Sequence, residues 1–168
     1  MRLLVVRHAI AEDRETFEGD DAARSLTADG RKKMKRGAAG LKELVPDIDL
    51  LAASSLKRAV ETAEIIARAY DGFKVQQVTE LAPGTPRDSV IAWLAGLPEK
   101  GTTAVVGHEP DLSSMVCALL TSADEPFLEF GKGGACLLEF KGPVGRGAAT
   151  LDWFLEPKHL RRLGADRG

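Results

Sequence analysis

The sequence contains only two cysteines among its 168 residues, Cys117 and Cys136, and their separation matches no metal-binding or redox motif. This scarcity excludes a disulfide-rich secreted domain and favours two buried, reduced thiols. Long apolar runs are missing as well, since no stretch approaches the roughly 20 residues of a transmembrane helix. The opening apolar run is too short, and too soon followed by charge, to be the core of a signal peptide. We therefore expect a cytoplasmic protein without a membrane segment.

The charged residues of the chain are nearly balanced. There are 23 Lys and Arg against 25 Asp and Glu, which gives a net charge of −2. Proteins that bind nucleic acids or anionic membranes usually carry a basic surface, so we expect neither partner. Aromatic residues make up only 5% of the chain, but hydrophobic residues as a whole reach 44%, which suffices for the core of one domain. We expect a single domain over residues 1–168 and a monomer.

Short apolar runs alternate with segments of helical periodicity along most of the chain. Runs typical of buried strands cover residues 3–6, 49–53 and 103–107. The segments between them have apolar residues at a 3.6-residue period, with Thr27 and Thr85 as N-cap candidates. Alternating strands and helices predict a mainly parallel sheet with helices on both faces.

The C-terminal part has a different pattern. Two strand-like runs, 135–140 and 148–155, flank a turn-rich segment and predict an antiparallel hairpin. The whole chain therefore predicts an α/β fold, a three-layer α/β/α sandwich whose sheet is mostly parallel with an antiparallel C-terminal edge. A further strand is predicted over residues 74–78, and segment 121–134 is interpreted as a loop near the functional site.

Histidine and arginine residues follow the predicted parallel strands. Arg7 and His8 come directly after the first strand, Arg58 shortly after the second and His108 after the third. In open α/β sheets ligands bind outside the carboxyl ends of the strands, so we expect these side chains to meet there. A single histidine at a strand end more often only hydrogen-bonds a neighbouring loop. Two histidines in equivalent positions, with arginines close by, favour a functional site.

The segment after the second strand places cations where a helix should begin. Ser54 or Ser55 is the predicted N-cap, which puts Lys57 and Arg58 in the first turn. Cations there oppose the helix dipole, whereas a bound phosphate would be held by the guanidinium and by the free N–H groups. Lys57 lies about 100° away around the helix and is expected to stay in solvent. Arg24, before the first helix, could complete a set of arginines around the same anion.

Two histidines and several arginines without a metal-ligand cluster predict phosphoryl transfer through a phosphohistidine intermediate. An imidazole nitrogen is a competent nucleophile, and guanidinium groups match phosphate oxygens. Nearby arginines disfavour the imidazolium form of His8 and so keep this nucleophile neutral. His108 could stabilise the equatorial oxygens of the transition state.

Three motifs resemble those of the histidine phosphatase superfamily, which includes the phosphoglycerate mutases. They are VVRHA at residues 5–9, SSLKRAVETA at 54–63 and VVGHEP at 105–110. Within the superfamily, Arg24 before SLTADG and TELAPGTP at 79–86 are most similar to the SixA-type phosphohistidine phosphatases. The resemblance implies a phosphoglycerate mutase-like fold and no metal or organic cofactor. It also implies that His8 is the nucleophile, that His108 is the second pocket histidine, and that the phosphate-binding residues are Arg7, Arg24 and Arg58.

The resemblance has one departure and leaves the general acid open. Ala9 stands where the common superfamily motif has glycine, so the backbone turn must tolerate a side chain. Glu80 is the best match to the carboxylate that protonates a leaving group in many relatives, and a surface carboxylate is the alternative. Glu12 and Asp13 are weaker candidates. A phosphohistidine substrate needs no strong acid, because its imidazole departs readily.

The short chain leaves little sequence for a lid over a small substrate. This favours phosphohistidine on a partner protein, such as a phosphotransfer domain in signal transduction, as the substrate. A small phosphate ester hydrolysed by the same catalytic residues is the first alternative. A non-catalytic phosphate-binding module is the second, and the presence of both His8 and His108 argues against it.

Overall fold

The computed structural model describes residues 1–165, which contain one six-stranded mixed sheet. The strands are β1 (Arg2–Arg7), β2 (Leu50–Ala53), β3 (Gln76–Gln77), β4 (Thr102–Gly107), β5 (Ala135–Phe140) and β6 (Ala149–Leu155). Their order in the sheet is β3-β2-β4-β1-β5-β6. The first four strands are parallel, while β5 pairs antiparallel with both β1 and β6. The predicted parallel sheet with an antiparallel C-terminal edge is confirmed.

Helices cover both faces of this sheet. They are α1 (Ala28–Leu44), α2 (Lys57–Ala69), α3 (Arg87–Ala95), α4 (Asp111–Thr121) and α5 (Pro157–Leu163). Buried side chains of α1, α2 and α5 form one core cluster with the sheet, and those of α3 and α4 form a second. The predicted three-layer sandwich follows from these two clusters. In the part of the chain that the structure describes, no helix combines the length and the apolar character needed to cross a bilayer.

The apolar run of β1 is buried on both faces. Leu4 and Val6 belong to the cluster under α1 and α2, whereas Leu3 and Val5 belong to the cluster under α3 and α4. Successive side chains of a strand point to opposite faces, so a strand covered on both sides needs an uninterrupted apolar sequence. The strand can therefore present polar side chains only where it ends. Both cysteines are buried as free thiols.

Helix α1 begins against the chain that follows β1. The Thr27 side chain accepts a hydrogen bond from the backbone N–H of Gly30 at 2.9 Å, which confirms Thr27 as the N-cap. The backbone N–H of Thr27 donates to the carbonyl of Ile10 at 3.0 Å. A Cβ atom on Gly30 would lie 2.0 Å from that same carbonyl oxygen, so this close approach requires glycine. The helix thereby holds the loop that follows His8.

Two local predictions are wrong. Thr85 is not the N-cap of α3, because Pro86 directly precedes the helix and the Thr85 hydroxyl donates back to the carbonyl of Ala82 at 2.9 Å. The strand predicted over residues 74–78 is only Gln76–Gln77, at the edge of the sheet and with exposed side chains. Such a short edge strand offers few unpaired backbone groups to another chain.

Candidate active site

His8 and His108 lie side by side at the carboxyl end of the parallel strands. Neighbouring strands β1 and β4 pair Arg7 with Gly107, so each histidine is the next residue along its strand. The backbone N–H of His8 donates to the carbonyl of Gly107 at 3.0 Å. The two ring centroids are 5.1 Å apart, and the ring planes are tilted by 52°. The predicted convergence of these two strand ends is confirmed.

The hydrogen bond of His8 determines which ring nitrogen is free. Nδ1 lies 2.8 Å from the carbonyl oxygen of Ala9. A carbonyl oxygen only accepts hydrogen bonds, so Nδ1 carries the proton and Nε2 keeps its lone pair. Burial, opposed by the Ala9 hydrogen bond and reinforced by Arg58 and Arg7, lowers the pKa of His8 to about 4. The ring is therefore neutral at pH 7, with Nε2 available as a nucleophile.

His108 is also a buried neutral imidazole. Burial, followed by the proximity of His8 and Arg58, lowers its pKa to about 3. Neither ring nitrogen has a hydrogen-bond partner among the described residues, although both are inaccessible to solvent. Buried polar atoms are rarely left without a partner, and exceptions concentrate where a protein binds a ligand or carries out catalysis. His108 can therefore give its N–H to an oxygen of a group bound beside His8.

Arg58 lies in the first turn of α2 as predicted, but no serine caps this helix. The residue before the helix is Leu56, which has no side-chain capping bond. The Ser54 hydroxyl accepts a hydrogen bond from the Leu56 N–H at 3.3 Å, but Ser54 lies two residues before the N-cap position and cannot cap the helix, and Ser55 is exposed. Both predicted caps are wrong for this reason. The first N–H groups of α2 therefore have no side-chain acceptor, next to an arginine that is only 4% exposed.

Asp21 joins two of the predicted arginines. Arg58 donates through Nη1 to the Asp21 carbonyl at 2.9 Å and through Nη2 to its carboxylate at 3.0 Å. Arg24 donates through Nε to the same carboxylate at 2.8 Å. Burial alone would raise the pKa of Asp21, but the two guanidinium groups lower it below its usual value. The sequence analysis missed Asp21, because nothing in the local pattern distinguishes it from the neighbouring exposed carboxylates.

Arg7 is held by the loop before β5. Its Nη1 donates to the carbonyl of Phe130, and its buried Nε has no partner among residues 1–165. The backbone N–H of Gly133 lies 3.2 Å from the carbonyl of Arg7 and 3.1 Å from that of His8. The prediction that segment 121–134 passes near the site is thus confirmed for its last residues.

Thr62 connects α2 to the loop that carries the His8 hydrogen bond. Its hydroxyl accepts from the backbone N–H of Ala9 at 3.0 Å and donates to the carbonyl of Arg58 at 2.7 Å. The side chain is fully buried. The sequence analysis did not select Thr62, although a polar residue among buried positions of α2 that are apolar except for Arg58 was an available signal.

The predicted acid candidates are engaged in local contacts. Glu12 accepts a hydrogen bond from the backbone N–H of Ser25 at 2.8 Å, and Asp13 accepts one from the backbone N–H of Glu15 at 2.7 Å. Glu80 lies on the 3₁₀ turn Thr79–Leu81 and accepts a hydrogen bond from the Thr79 hydroxyl at 3.0 Å. No hydrogen bond or ion pair within residues 1–165 connects Glu80 to the histidines.

The alanine of the first motif causes no backbone strain. Within residues 1–165, the residues other than glycine that have a positive φ are Asp71 and Ser122, so Ala9 adopts an ordinary conformation. Its carbonyl and N–H hold His8 and Thr62, respectively. In the same part of the chain, no three His, Cys, Asp or Glu side chains are grouped as a metal site would require.

Comparison with known proteins identifies relatives of this chain. Residues 3–82 match the histidine phosphatase superfamily (branch 1). An uncharacterized protein of Picosynechococcus sp. is 34% identical over 137 residues, which cover 80% of this chain and 82% of the relative. The matched stretch of the superfamily includes Arg7, His8, Arg24, Arg58 and Glu80.

Solved structures share the fold over nearly their whole length. A protein histidine phosphatase SixA complexed with tungstate has a TM-score of 0.82 at 23% identity, with 95% of this chain and 99% of that chain covered. The α-ribazole phosphatase of Shigella flexneri has a TM-score of 0.76 at 17% identity, covering 94% and 97%. A phosphoserine phosphatase of Entamoeba histolytica has a TM-score of 0.71 at 18% identity, covering 95% and 98%. This likeness is one of fold. The names of the three proteins indicate different phosphorylated substrates.

Proposed function

We propose that this chain, which belongs to the histidine phosphatase superfamily and is a phosphatase, acts in two steps through a phosphohistidine on His8. One observation carries this proposal: the Nδ1–H of His8 is held by the Ala9 carbonyl, so that a buried, neutral ring has its Nε2 lone pair free. A nucleophile of this kind needs no base to deprotonate it.

In the first step, Nε2 of His8 attacks phosphorus and the bond from phosphorus to the leaving group breaks. The positive charge of the phosphorylated ring is shared with the Ala9 carbonyl, because Nδ1–H already points to that oxygen. In the second step, water attacks the phosphorus of phospho-His8, the P–N bond breaks, and His8 returns with inorganic phosphate as product. No step requires a metal ion or an organic cofactor.

The phosphoryl oxygens are assigned to Arg7, Arg24, Arg58 and His108. The Nε groups of Arg7 and Arg58 are buried without partners in the described chain, which supports this assignment. Arg58 also stands beside the uncapped N–H groups of α2, which favour an anion. His108, whose ring centroid lies 5.1 Å from that of His8, contributes an N–H. By the resemblance, Glu80 would transfer a proton to the leaving group. Glu80 lies on the turn after β3 and stays a candidate for this role.

The proposed substrate is phosphohistidine on a partner protein, such as a phosphotransfer domain. Segment 121–134, which passes near the site, supports this choice of substrate. Within it, Asp124 pairs with Arg87 of α3 and with Arg146 of the β5–β6 turn. A segment tied to α3 at Asp124 is less free to close over a small substrate, which favours a side chain presented by another protein. The likeness in fold to SixA agrees with this choice. We place the enzyme in the cytoplasm as a monomer, where its buried thiols stay reduced.

Hydrolysis of a small phosphate ester is the second candidate. An α-ribazole phosphatase and a phosphoserine phosphatase also share the fold over 94% and 95% of this chain, with TM-scores of 0.76 and 0.71. Such a substrate needs a positioned proton donor, because an alkoxide is a poor leaving group.

The test is the intact mass of the enzyme after it is mixed with a purified phosphotransfer domain bearing phosphohistidine. The reaction is quenched at alkaline pH, where phosphohistidine survives. Wild type should gain one phosphoryl group and dephosphorylate the donor, whereas His8→Ala should do neither. His159→Ala is the matched control, since this third histidine lies on α5 outside the site and should leave the adduct unchanged.

The outcomes separate the candidates. An adduct on His8 formed from a phosphate ester, with the phosphotransfer domain left phosphorylated, transfers the assignment to small esters. Absence of an adduct from either donor would contradict the two-step mechanism.

A further inference from the structure

Glu109 directly follows His108 and has no part in the mechanism so far. Its Oε2 accepts a hydrogen bond from the Ser113 hydroxyl at 2.5 Å, one turn into α4, and Ser113 itself is buried. Its Oε1 is buried and has no hydrogen-bond partner in the described chain. The carboxyl group is therefore fixed through one oxygen and unoccupied at the other.

The surroundings of Glu109 place this carboxyl group beside the proposed phosphoryl pocket. Arg7 donates to the carbonyl of Phe130, and the charge of Arg7 and a hydrogen-bonding interaction with the Phe130 backbone both oppose the rise in the pKa of Glu109. Arg7 and Glu109 nevertheless form no ion pair within 4.0 Å in the described chain. The Arg7 guanidinium thus stays available for a phosphoryl oxygen.

Glu109 also lines an open groove of about 610 Å³, together with Pro110 and Ser113. The wall on the far side consists of Pro126, Phe127 and Leu128. Phe127 is 62% exposed there, unusual for a phenylalanine. Since Glu109 directly follows His108, a substrate whose leaving part extends past the Glu109 carboxyl would occupy this groove.

Other carboxyl groups near the site are less suited to give a proton. Asp21 is held between two guanidinium groups, which favour its ionised form. Glu12 and Asp13 accept hydrogen bonds from the backbone N–H groups of Ser25 and Glu15, so one carboxylate oxygen of each is already engaged. Burial raises the pKa of Glu109, although the Ser113 hydroxyl, Arg7 and two backbone groups oppose the shift.

We propose that Glu109 is the general acid of this enzyme and gives its Oε1 proton to the leaving atom. The proposal rests on the two-step mechanism through His8. As the bond from Nε2 of His8 to phosphorus forms and the bond to the leaving oxygen or nitrogen breaks, the proton moves from Glu109 to that atom. In the second step the Glu109 carboxylate takes a proton from the attacking water, phosphate leaves with the remaining hydroxyl, and the acid is restored.

The test compares Glu109→Gln with wild type on p-nitrophenyl phosphate, phenyl phosphate and an alkyl phosphate. A good leaving group needs no proton, so kcat/KM of Glu109→Gln for p-nitrophenyl phosphate should fall by less than about threefold. For the alkyl phosphate, kcat/KM should fall on the order of 100-fold, as expected for removal of a general acid. Glu129→Gln is the matched control, because this exposed carboxylate lines the same groove and its substitution should change kcat/KM for none of the three esters.

Each result has a separate meaning. An equal loss on all three esters would mean a structural role for Glu109 and would overturn the proposal. A selective loss in Glu80→Gln instead would transfer the role to Glu80. If Glu109→Gln folds poorly, the wild-type pH profile serves: kcat/KM for the alkyl ester should fall on the basic side at a lower pH than for p-nitrophenyl phosphate. Absence of a phospho-His8 adduct in wild type would refute the underlying mechanism, whatever Glu109 does.

Discussion

Asp21 holds Arg58 at two points, through its backbone carbonyl at 2.9 Å and through its carboxylate at 3.0 Å. The same carboxylate holds Arg24 at 2.8 Å. Two guanidinium groups that are both assigned to one phosphoryl group repel each other, and the carboxylate between them offsets this repulsion. Asp21 is thus a positioning residue for the anion site.

Asp21→Asn should therefore weaken phosphate binding while leaving the adduct on His8 intact. The backbone contact to Arg58 survives the substitution, and the lost ion pairs are partly exposed, so the effect is about 0.5–1 kcal/mol, or two- to fivefold in the inhibition constant of inorganic phosphate. Asp20→Asn is the control, because Asp20 only accepts a hydrogen bond from the Ala22 N–H. Tighter phosphate binding in Asp21→Asn would mean that this carboxylate competes with the ligand instead.

Arg58→Lys should be almost as damaging as Arg58→Ala. A lysine keeps the charge but lacks the fork that reaches Asp21 and a phosphoryl oxygen at once. We expect both variants to lower kcat and raise KM, with kcat/KM reduced on the order of 100- to 1000-fold. The measurement is steady-state kinetics on p-nitrophenyl phosphate, with Lys57→Ala as a control in the same turn. Restoration of wild-type kinetics by lysine would show that only the charge matters.

Thr62→Val should disturb catalysis from a distance. The substitution keeps the shape but leaves the Ala9 N–H buried without a partner, at a cost of about 1–3 kcal/mol in stability. Because the Ala9 carbonyl holds Nδ1 of His8, kcat should fall more than KM changes. Thr62→Ser retains the hydroxyl and should keep most of the activity. Equal activity of the valine and serine variants would show that the bond to Ala9 has no influence on His8.

The imidazole of His8 should titrate near pH 4 in the folded enzyme. Burial, with Arg58 and Arg7, lowers its pKa from the usual 6.5 to about 4. An NMR titration of the histidine ring carbons between pH 3 and 8, assigned with His8→Gln and His108→Gln, measures this directly. A midpoint near 6.5 would contradict the neutral nucleophile.

The same shift makes stability depend on pH. The unfolded chain protonates His8 with a pKa near 6.5 and the folded chain with a pKa of about 4, so the unfolded state binds more protons between these values. The contribution of the neutral ring is fully present above pH 6.5 and is lost as the pH falls towards 4. By pH 5 the loss is on the order of 2 kcal/mol for this residue. Urea unfolding at pH 7.5 and 5.0 should therefore show a smaller change for His8→Gln than for wild type.

The strand ends of the site could be predicted because they follow from the alternation of buried strands and helices. An apolar run that ends in Arg7 and His8 has one place in such a sheet, and the same holds for His108. Asp21 and Thr62 could not be predicted in this way, because their roles come from contacts between segments far apart in the chain. The cap predicted at Thr85 failed because Pro86, between it and the helix, turns the hydroxyl back to Ala82.

The hydrogen bond from the His8 N–H to the Gly107 carbonyl continues the pairing of β1 with β4 and so places the two imidazoles on neighbouring strand ends. Their 5.1 Å separation is close to the spacing of about 4.8 Å between neighbouring strands. The reacting pair is thus set by the pairing of the central strands β1 and β4, while the groove at residues 126–129 belongs to a connecting segment. Loops around this centre can therefore be exchanged to present new phosphorylated compounds to an unaltered pair of histidines, which makes the scaffold a suitable starting point for engineering substrate range.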